Sequence, residues 1–494
     1  MVTRRSFLQS AAAPVAAAAP AQRPNVLLIL ADQLRYDCLG AHGNRLIRAP
    51  NLDRLAASSV DFASAFVQAP VCVPSRVSLL TGRYPHSHRN RVNYTPCDPS
   101  EVFLQRMLHD AGYRTGSVGK LHFYPPTAEH ARTTGFDRVL IDDGAATREQ
   151  YSDYVKWRAA RDPKPGVPYN AVEKGAANPF RGVVPYEFTP THWTGEESCR
   201  MLREFANSPQ PFFLHCSFFK PHAPHTVAPP YDSMYSGAEI PLPPPVSLED
   251  IQRLPLPVQK QILRPTPQYA MDRTRLEWVY RSYYGSVSMV DYEVGRILDE
   301  LDRSGKAGDT IVVFTSDHGD QLLEHGLEGK NLFFESSVHV PLLVRFPGRL
   351  APSVHRGLAE QIDVVPSVLE WCNTPVPPRV QGRGLFRQRG AVFAENIIPE
   401  VITGGKLDYY FTPGEGVKGI RHPDAKMVRT SRWKFNYYPG HGGELYDLRE
   451  DPGEYRNLFA DPARQPLVHE MKDRLLDWLI TSGETDQIAP RWLL

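Results

Sequence analysis

Cys72, Pro74 and Arg76, followed by Leu79-Leu80-Thr81-Gly82, form the stretch of this chain whose residue types and spacing best suit chemistry. Proline's fixed φ fits a first helical turn, and the N–H it lacks is not needed there. Gly82 is a helix stop. The spacing therefore predicts a helix over 75–80 with Cys72 at its N-terminus. Amide dipoles there favour negative charge, and Arg76 follows about one turn later on the same face. A lone cysteine is ordinarily just buried, and a lone arginine solvated. Together at a helix start they describe an anion pocket with a reactive side chain.

Other polar groups sit where apolar runs end. Asp32 and Gln33 follow Asn25–Ala31, and Lys120 and His122 follow a short run from Arg114. Lys220 and His222 follow Phe212–Phe218, and Asp317 and His318 follow Thr310–Thr315, with Lys330 a little downstream. Lys120 and His122 alternate, so on an extended chain they face one side. Ligands of open α/β sheets bind beyond the carboxyl ends of strands. Carboxylate and amide oxygens suit a hard divalent cation, and one imidazole leaves room for a borderline one such as manganese. Arginine and lysines around it suit a tetrahedral oxyanion, phosphate or sulfate. A single aspartate after a strand is more often a turn former, so only the set carries weight. The sequence lacks the Gly-x-x-x-x-Gly-Lys-Ser/Thr loop of nucleotide hydrolases.

The elements that must position these groups are legible too. The continuous apolar runs read as strands buried on both faces of a parallel sheet. From Leu276 to Ser304, apolar positions recur at three and four, a long amphipathic helix stopped by Gly305. Near residue 385 the pattern changes. Trp433–Tyr438 and Glu444–Leu448 alternate like antiparallel strands, and an amphipathic helix runs from Leu467 to Ser482.

The 494 residues carry 56 Lys+Arg against 55 Asp+Glu, so no net field points to nucleic acid. The 46 prolines are about twice the usual share of roughly 5%, which predicts long ordered loops. Thr3-Arg4-Arg5-Ser6-Phe7-Leu8, an alanine-rich run and Ala19-Pro20-Ala21 resemble a twin-arginine export signal over residues 1–21, giving a periplasmic or secreted protein. No run is long enough to span a bilayer. The six cysteines fit neither a disulfide framework nor a Cys-x-x-Cys metal site.

From about Asn25 to about Pro462 the chain resembles a type I sulfatase of the alkaline phosphatase superfamily. Cys72-Val73-Pro74-Ser75-Arg76 with Leu80-Thr81-Gly82 matches the signature in which the cysteine becomes formylglycine. Gly119-Lys120-Leu121-His122, Lys220-Pro221-His222-Ala223-Pro224, Ser316–Asp320 with Lys330, and Glu444–Leu448 with Asp451-Pro452 match further family motifs in order. The resemblance implies an α/β fold with a large mixed, mostly parallel sheet flanked by helices over 22–385. It also implies a smaller α+β subdomain with an antiparallel sheet over 386–494. It implies one divalent cation, calcium first and manganese second, held by Asp32, Gln33, Asp317, His318 and the modified residue 72. The aldehyde hydrate made from Cys72 is then the nucleophile, assisted by Arg76, and forms a sulfated enzyme. His122 helps expel sulfate, Lys120 and Lys330 hold its oxygens, and His222 with Lys330 serves the leaving oxygen.

The implied partners are a formylglycine-generating maturation enzyme and a sulfated small molecule or glycan. Asp32-Gln33 departs from the Asp-Asp of many sulfatases and resembles choline-sulfatase-like and phosphonate or phosphodiester hydrolase relatives. Phosphonate monoester or phosphodiester hydrolysis is therefore the alternative chemistry. A carbohydrate-binding or scaffold protein with a decayed site is the alternative class, and it predicts that Cys72→Ala changes nothing. Substrate selection is expected in loops 142–190 and 226–267 and in the C-terminal subdomain. His86, His88, Arg89, His192 and His225 are rim candidates that otherwise read as ordinary packing or surface residues.

Overall fold

The computed structural model describes residues 23–93, 95–143, 152–263, 271–398, 410–412, 416–418 and 424–483. The export signal expected over 1–21 lies outside them. The main sheet is built from β1 (Asn25–Asp32), β2 (Val60–Phe62), β3 (Arg114–Gly119), β4 (Arg138–Ile141), β5 (Phe212–Pro221), β6 (Thr310–Ser316), β7 (Leu342–Arg345) and β8 (Ser353–His355). Its order is β4-β3-β5-β1-β6-β7-β2-β8. The first five in that order run parallel, while β7 is antiparallel to both β6 and β2. The sheet is thus mixed and mostly parallel, as expected.

Every residue of β1 is buried, because both faces of the strand are covered. Leu27, Ile29 and Ala31 pack on one side with residues of α3 (Pro190–Ala206) and α4 (Arg273–Arg303). Val26, Leu28 and Leu30 pack on the other with α1 (Cys72–Thr81), α2 (Leu104–Asp110) and α5 (Val364–Trp371). Fully burying one such Leu or Ile contributes roughly 1.5–3 kcal/mol, so β1 is a firm base for whatever follows Asp32.

A second, antiparallel sheet is formed by β9 (Val392–Ile397), β10 (Asp424–Arg429), β11 (Trp433–Tyr438) and β12 (Gly442–Asp447) in that order. Val428, Phe435 and Leu445 pack against Met471, Leu475 and Trp478 of α6 (Gln465–Ser482). Met427, Tyr438 and Tyr446 of the opposite face share a core with Phe66, Phe333 and Phe334, which ties this sheet to the larger unit. Among the described residues, no helix is long and apolar enough to cross a membrane.

Candidate active site

Three backbone turns deliver the site's side chains. Helix α1 begins at Cys72 and is capped by Gly82 in the left-handed region (φ +69), as the sequence predicts. Beyond β1, Gln33 has φ +68, and its carbonyl accepts from Tyr283 Oη at 2.6 Å. At the end of β3, Gly119 has φ +97, and a Cβ there would lie 2.0 Å from the Ser217 carbonyl oxygen. Only glycine fits that crossing of β3 and β5. Lys120 and His122 do not alternate along an extended chain, because the strand ends at Gly119 and His122 sits at φ +61.

Arg76, 1% exposed, is the pivot of the floor. Its Nε donates to Asp317 Oδ2 at 2.7 Å, and Nη2 to Asp32 Oδ2 at 3.2 Å. Nη1 donates to the Lys120 carbonyl at 2.7 Å and Ser217 Oγ at 2.9 Å. Lys120 Nζ pairs with Asp32 Oδ2 and lies 3.8 Å from Cys72 Sγ. Lys330 Nζ lies 3.0 Å from Cys72 Sγ, 2.8 Å from His222 Nε2 and 2.8 Å from Gln33 Oε1. His318 Nε2 is 3.2 Å from Cys72 Sγ, and its Nδ1 faces the Gly319 carbonyl at 2.9 Å.

The electrostatics follow from these contacts. Burial alone pushes the Cys72 thiol up, but the charges of Lys120, Lys330 and His318 and a hydrogen bond from His122 hold it well below the usual thiol range. Burial and the Cys72 charge push the Asp32 carboxyl up, and Lys120, His222 and Arg76 bring it below the ordinary carboxylate range. Burial and then Lys330 lower the His222 imidazole, which favours its neutral form. Burial lowers His318, but Asp317 together with the Cys72 charge and hydrogen bond raises it above the usual imidazole range. The pocket is built to hold negative charge at position 72.

The donor set fits a cation. One ligand atom each from Asp32, Cys72, Asp317 and His318 lie within 4.8 Å of one another. Asp32 Oδ1 is buried and accepts no hydrogen bond, a costly arrangement for a carboxylate oxygen unless a cation completes it. Gln33 Nε2 donates to Asp320 Oδ2, which turns Oε1 toward Lys330 and the site. Asp320 is itself fixed, its Oδ1 accepting from Leu322 N and Gly329 N at 2.9 Å each.

The ten residues given catalytic or metal roles in the sequence analysis thus converge: Asp32, Gln33, Cys72, Arg76, Lys120, His122, His222, Asp317, His318 and Lys330. A cavity of about 470 Å³ opens above Cys72, lined also by Asn93, Asp143, Tyr169, Asn170 and Phe219. Of the substrate loops, 142–190 reaches this cavity through Asp143, Tyr169 and Asn170, and the described residues of 226–267 do not line it. None of the five rim candidates lines it. His86 pairs with Glu395, His88 lies under Ser78, and His192 faces Glu293. His225 is buried against Glu328 at 2.8 Å. Arg89 is a left-handed helix cap. Lys220 is not a site cation either, since its Nζ donates to the Pro224 and His222 carbonyls. Burial lowers that amine to about 7.

Asn93, Asp143 and Asp320 escape sequence reasoning. Asp320 belongs to a quoted motif, but nothing in its spacing tells that it orients Gln33. Asn93, whose Oδ1 accepts from Val73 N at 3.0 Å, carries no local signal.

A mixed, mostly parallel sheet with carboxylates, a buried cysteine and lysines beyond the carboxyl ends of its strands has the architecture of the alkaline-phosphatase-like class. The sulfatase family model matches residues 24–374, and the model for the C-terminal region of N-sulphoglucosamine sulphohydrolase matches 323–480. The chain belongs to the sulfatase family, within the alkaline phosphatase superfamily, and is an enzyme of that class. An arylsulfatase of Clostridium perfringens is 29% identical, the match covering 92% of this chain and 95% of the relative. The multifunctional alkaline phosphatase superfamily protein PehA of Trinickia caryophylli is 28% identical, with 94% and 96% covered. The structure of phosphonate monoester hydrolase of Agrobacterium radiobacter superposes with a TM-score of 0.78 at 26% identity, covering 93% and 96%.

Proposed function

We propose that the protein hydrolyses sulfate esters with a formylglycine hydrate derived from Cys72. The observation that carries this is the convergence on Cys72 Sγ of Lys330 at 3.0 Å, His318 at 3.2 Å and Lys120 at 3.8 Å at a helix N-terminus. The sulfur stands in for the hydrate oxygen that attacks. Conversion of Cys72 supplies a carbon bearing two hydroxyls, one to attack and one to reopen the product. A divalent cation, calcium first and manganese second, would be held by Asp32, Gln33, Asp317 and His318, neutralising charge and polarising the ester.

The chain's own residues do the rest. Lys120 and Lys330 hold the oxygens of the sulfuryl group as its charge shifts. Attack of the residue-72 oxygen forms an O–S bond while the bond to the alcohol oxygen breaks. Lys330, hydrogen-bonded to His222, supplies a proton to that leaving oxygen. His122 takes the proton of the second hydroxyl, the bond from carbon to sulfate oxygen breaks, sulfate departs and the aldehyde re-forms. Water then restores the hydrate. Substrates are sulfated saccharides or aryl and alkyl sulfates, and the arylsulfatase likeness supports this class. The N-terminal sequence supports export of the folded protein to the periplasm or medium, with modification of Cys72 by a maturation enzyme preceding export.

Phosphonate monoester or phosphodiester hydrolysis is the second reading. Gln33, which brings one negative charge fewer than an aspartate would, favours it, as does the likeness to the phosphonate monoester hydrolase. Measuring kcat/KM on an aryl sulfate and an aryl phosphonate monoester side by side tests the choice. A large preference for the phosphonate overturns the sulfatase reading.

A further inference from the structure

His122 reaches Cys72 from a backbone conformation, φ +61, that non-glycine residues adopt uncommonly. One oxygen atom helps to hold it there. The N–H groups of Leu121 and His122 both donate to Asp143 Oδ1, each at 2.9 Å. Consecutive amides converging on one carboxylate oxygen form an anion-binding nest with charge-assisted bonds. Asp143 follows edge strand β4, which pairs in parallel with β3, and its neighbour's amide, Asp142 N, donates to the Gly119 carbonyl at 3.2 Å. Asp143 also lines the cavity above Cys72.

Lys120, on the same turn, is held by other groups. Its N–H donates to the Ser217 carbonyl at 2.9 Å, and its own carbonyl accepts from Arg76 Nη1 at 2.7 Å. Its Nζ pairs with Asp32. Among the described residues, the Asp143 side-chain hydrogen bonds therefore fall on Leu121 and His122.

We propose that Asp143 is a positioning residue for His122, keeping the imidazole against residue 72 for the step that expels sulfate. The inference rests on the proposed covalent sulfate transfer. In that step, a proton passes from the second hydroxyl of residue 72 to His122, and the carbon–oxygen bond to sulfate breaks with its electron pair leaving on sulfate. If Asp143 is lost, attack on the ester proceeds and release slows.

The test compares Asp143→Ala, Asp143→Asn and His122→Ala in the full-length matured enzyme with an aryl sulfate. In Asp143→Ala, kcat falls about 100-fold, within the range general-base catalysis contributes, while KM does not rise. The peptide containing residue 72 then carries the mass of a sulfuryl group in quenched turnover samples. Asp143→Asn, whose amide oxygen accepts the same two N–H bonds, recovers most of kcat. Asp143→Ser substitutes if the alanine variant does not fold.

A readout without turnover uses the unmatured protein. There, hydrogen exchange at the Leu121 and His122 amides, both bonded to Asp143 Oδ1, is faster in Asp143→Ala than in the parent, and Asp143→Asn restores the slow exchange. Adduct in His122→Ala but none in Asp143→Ala overturns the role of Asp143 and leaves the covalent reading intact. Adduct in neither overturns both. An asparagine variant as slow as the alanine one also overturns the proposal.

Discussion

Arg76→Ala removes a cation that hydrogen-bonds both buried site carboxylates, and its effect depends on whether a metal is bound. Arg76 is 1% exposed and lies 2.7 Å from Asp317 Oδ2 and 3.2 Å from Asp32 Oδ2. At an effective dielectric of about 20, a unit pair at the shorter distance attracts by about 6 kcal/mol before the cost of desolvation. Breaking such a buried pair costs about 3–5 kcal/mol net, because the partner charge stays buried. Urea unfolding in excess chelator therefore loses about 3–5 kcal/mol in Arg76→Ala. A cation bound only by the folded state adds about 2.7 kcal/mol at a hundredfold excess over Kd. With Arg76 gone, that cation meets the two carboxylates with one competing charge fewer, Lys120 remaining on Asp32. At the same concentration, calcium should thus stabilise the variant more than the parent. Activity stays lost even when stability returns, since the Arg76 charge also acts on residue 72. A variant as stable as the parent in chelator, or one that gains no more from calcium than the parent, refutes this account of the floor.

Lys330→Ala should lower kcat/KM by about a hundredfold or more on alkyl sulfates and much less on aryl sulfates with good leaving groups, because Lys330 serves the leaving oxygen. A leaving-group series measures the difference. Burial lowers His88, His215 and His325 to about 3, against 6.5 in the unfolded chain. The folded state thus holds fewer protons than the unfolded one between those values. Their stabilisation is complete above pH 6.5 and is lost as pH falls toward 3, by up to about 5 kcal/mol each. Urea midpoints taken against pH should show this slope, and His215→Gln should flatten it by about one proton's worth. Gly119→Ala places a Cβ 2.0 Å from the Ser217 carbonyl oxygen at φ +97, and should cost at least about 2 kcal/mol and most activity. Melting curves and assays of the soluble variant check both.

The main sheet was legible because its interior strands are covered on both sides, which forces unbroken apolar runs such as Val26–Ala31. The polar residues that end those runs, Asp32 and Asp317 among them, could be placed at one edge because parallel strands end together. The Cys72 helix was legible from Pro74 and Gly82, which act through φ alone. What escaped depended on tertiary crossings. His122 was expected on an extended chain, but Gly119 must pass the Ser217 carbonyl, and the chain then turns into the left-handed region. Asp143 and Asp320 act through backbone amides and an amide side chain far away in sequence, which no local spacing encodes. The rim histidines resolved into internal pairs away from the cavity, such as His225 with Glu328, since an imidazole's type does not reveal which face it will occupy.

The central claim is that residue 72 is the catalyst only after its thiol has been converted to an aldehyde. The most direct test is the mass of the peptide containing residue 72, taken from batches made with and without the maturation enzyme, each assayed on an aryl sulfate. Activity should rise in proportion to the aldehyde-bearing fraction, and Cys72→Ala should be inactive. A fully active batch carrying only unmodified cysteine at residue 72 would contradict the account.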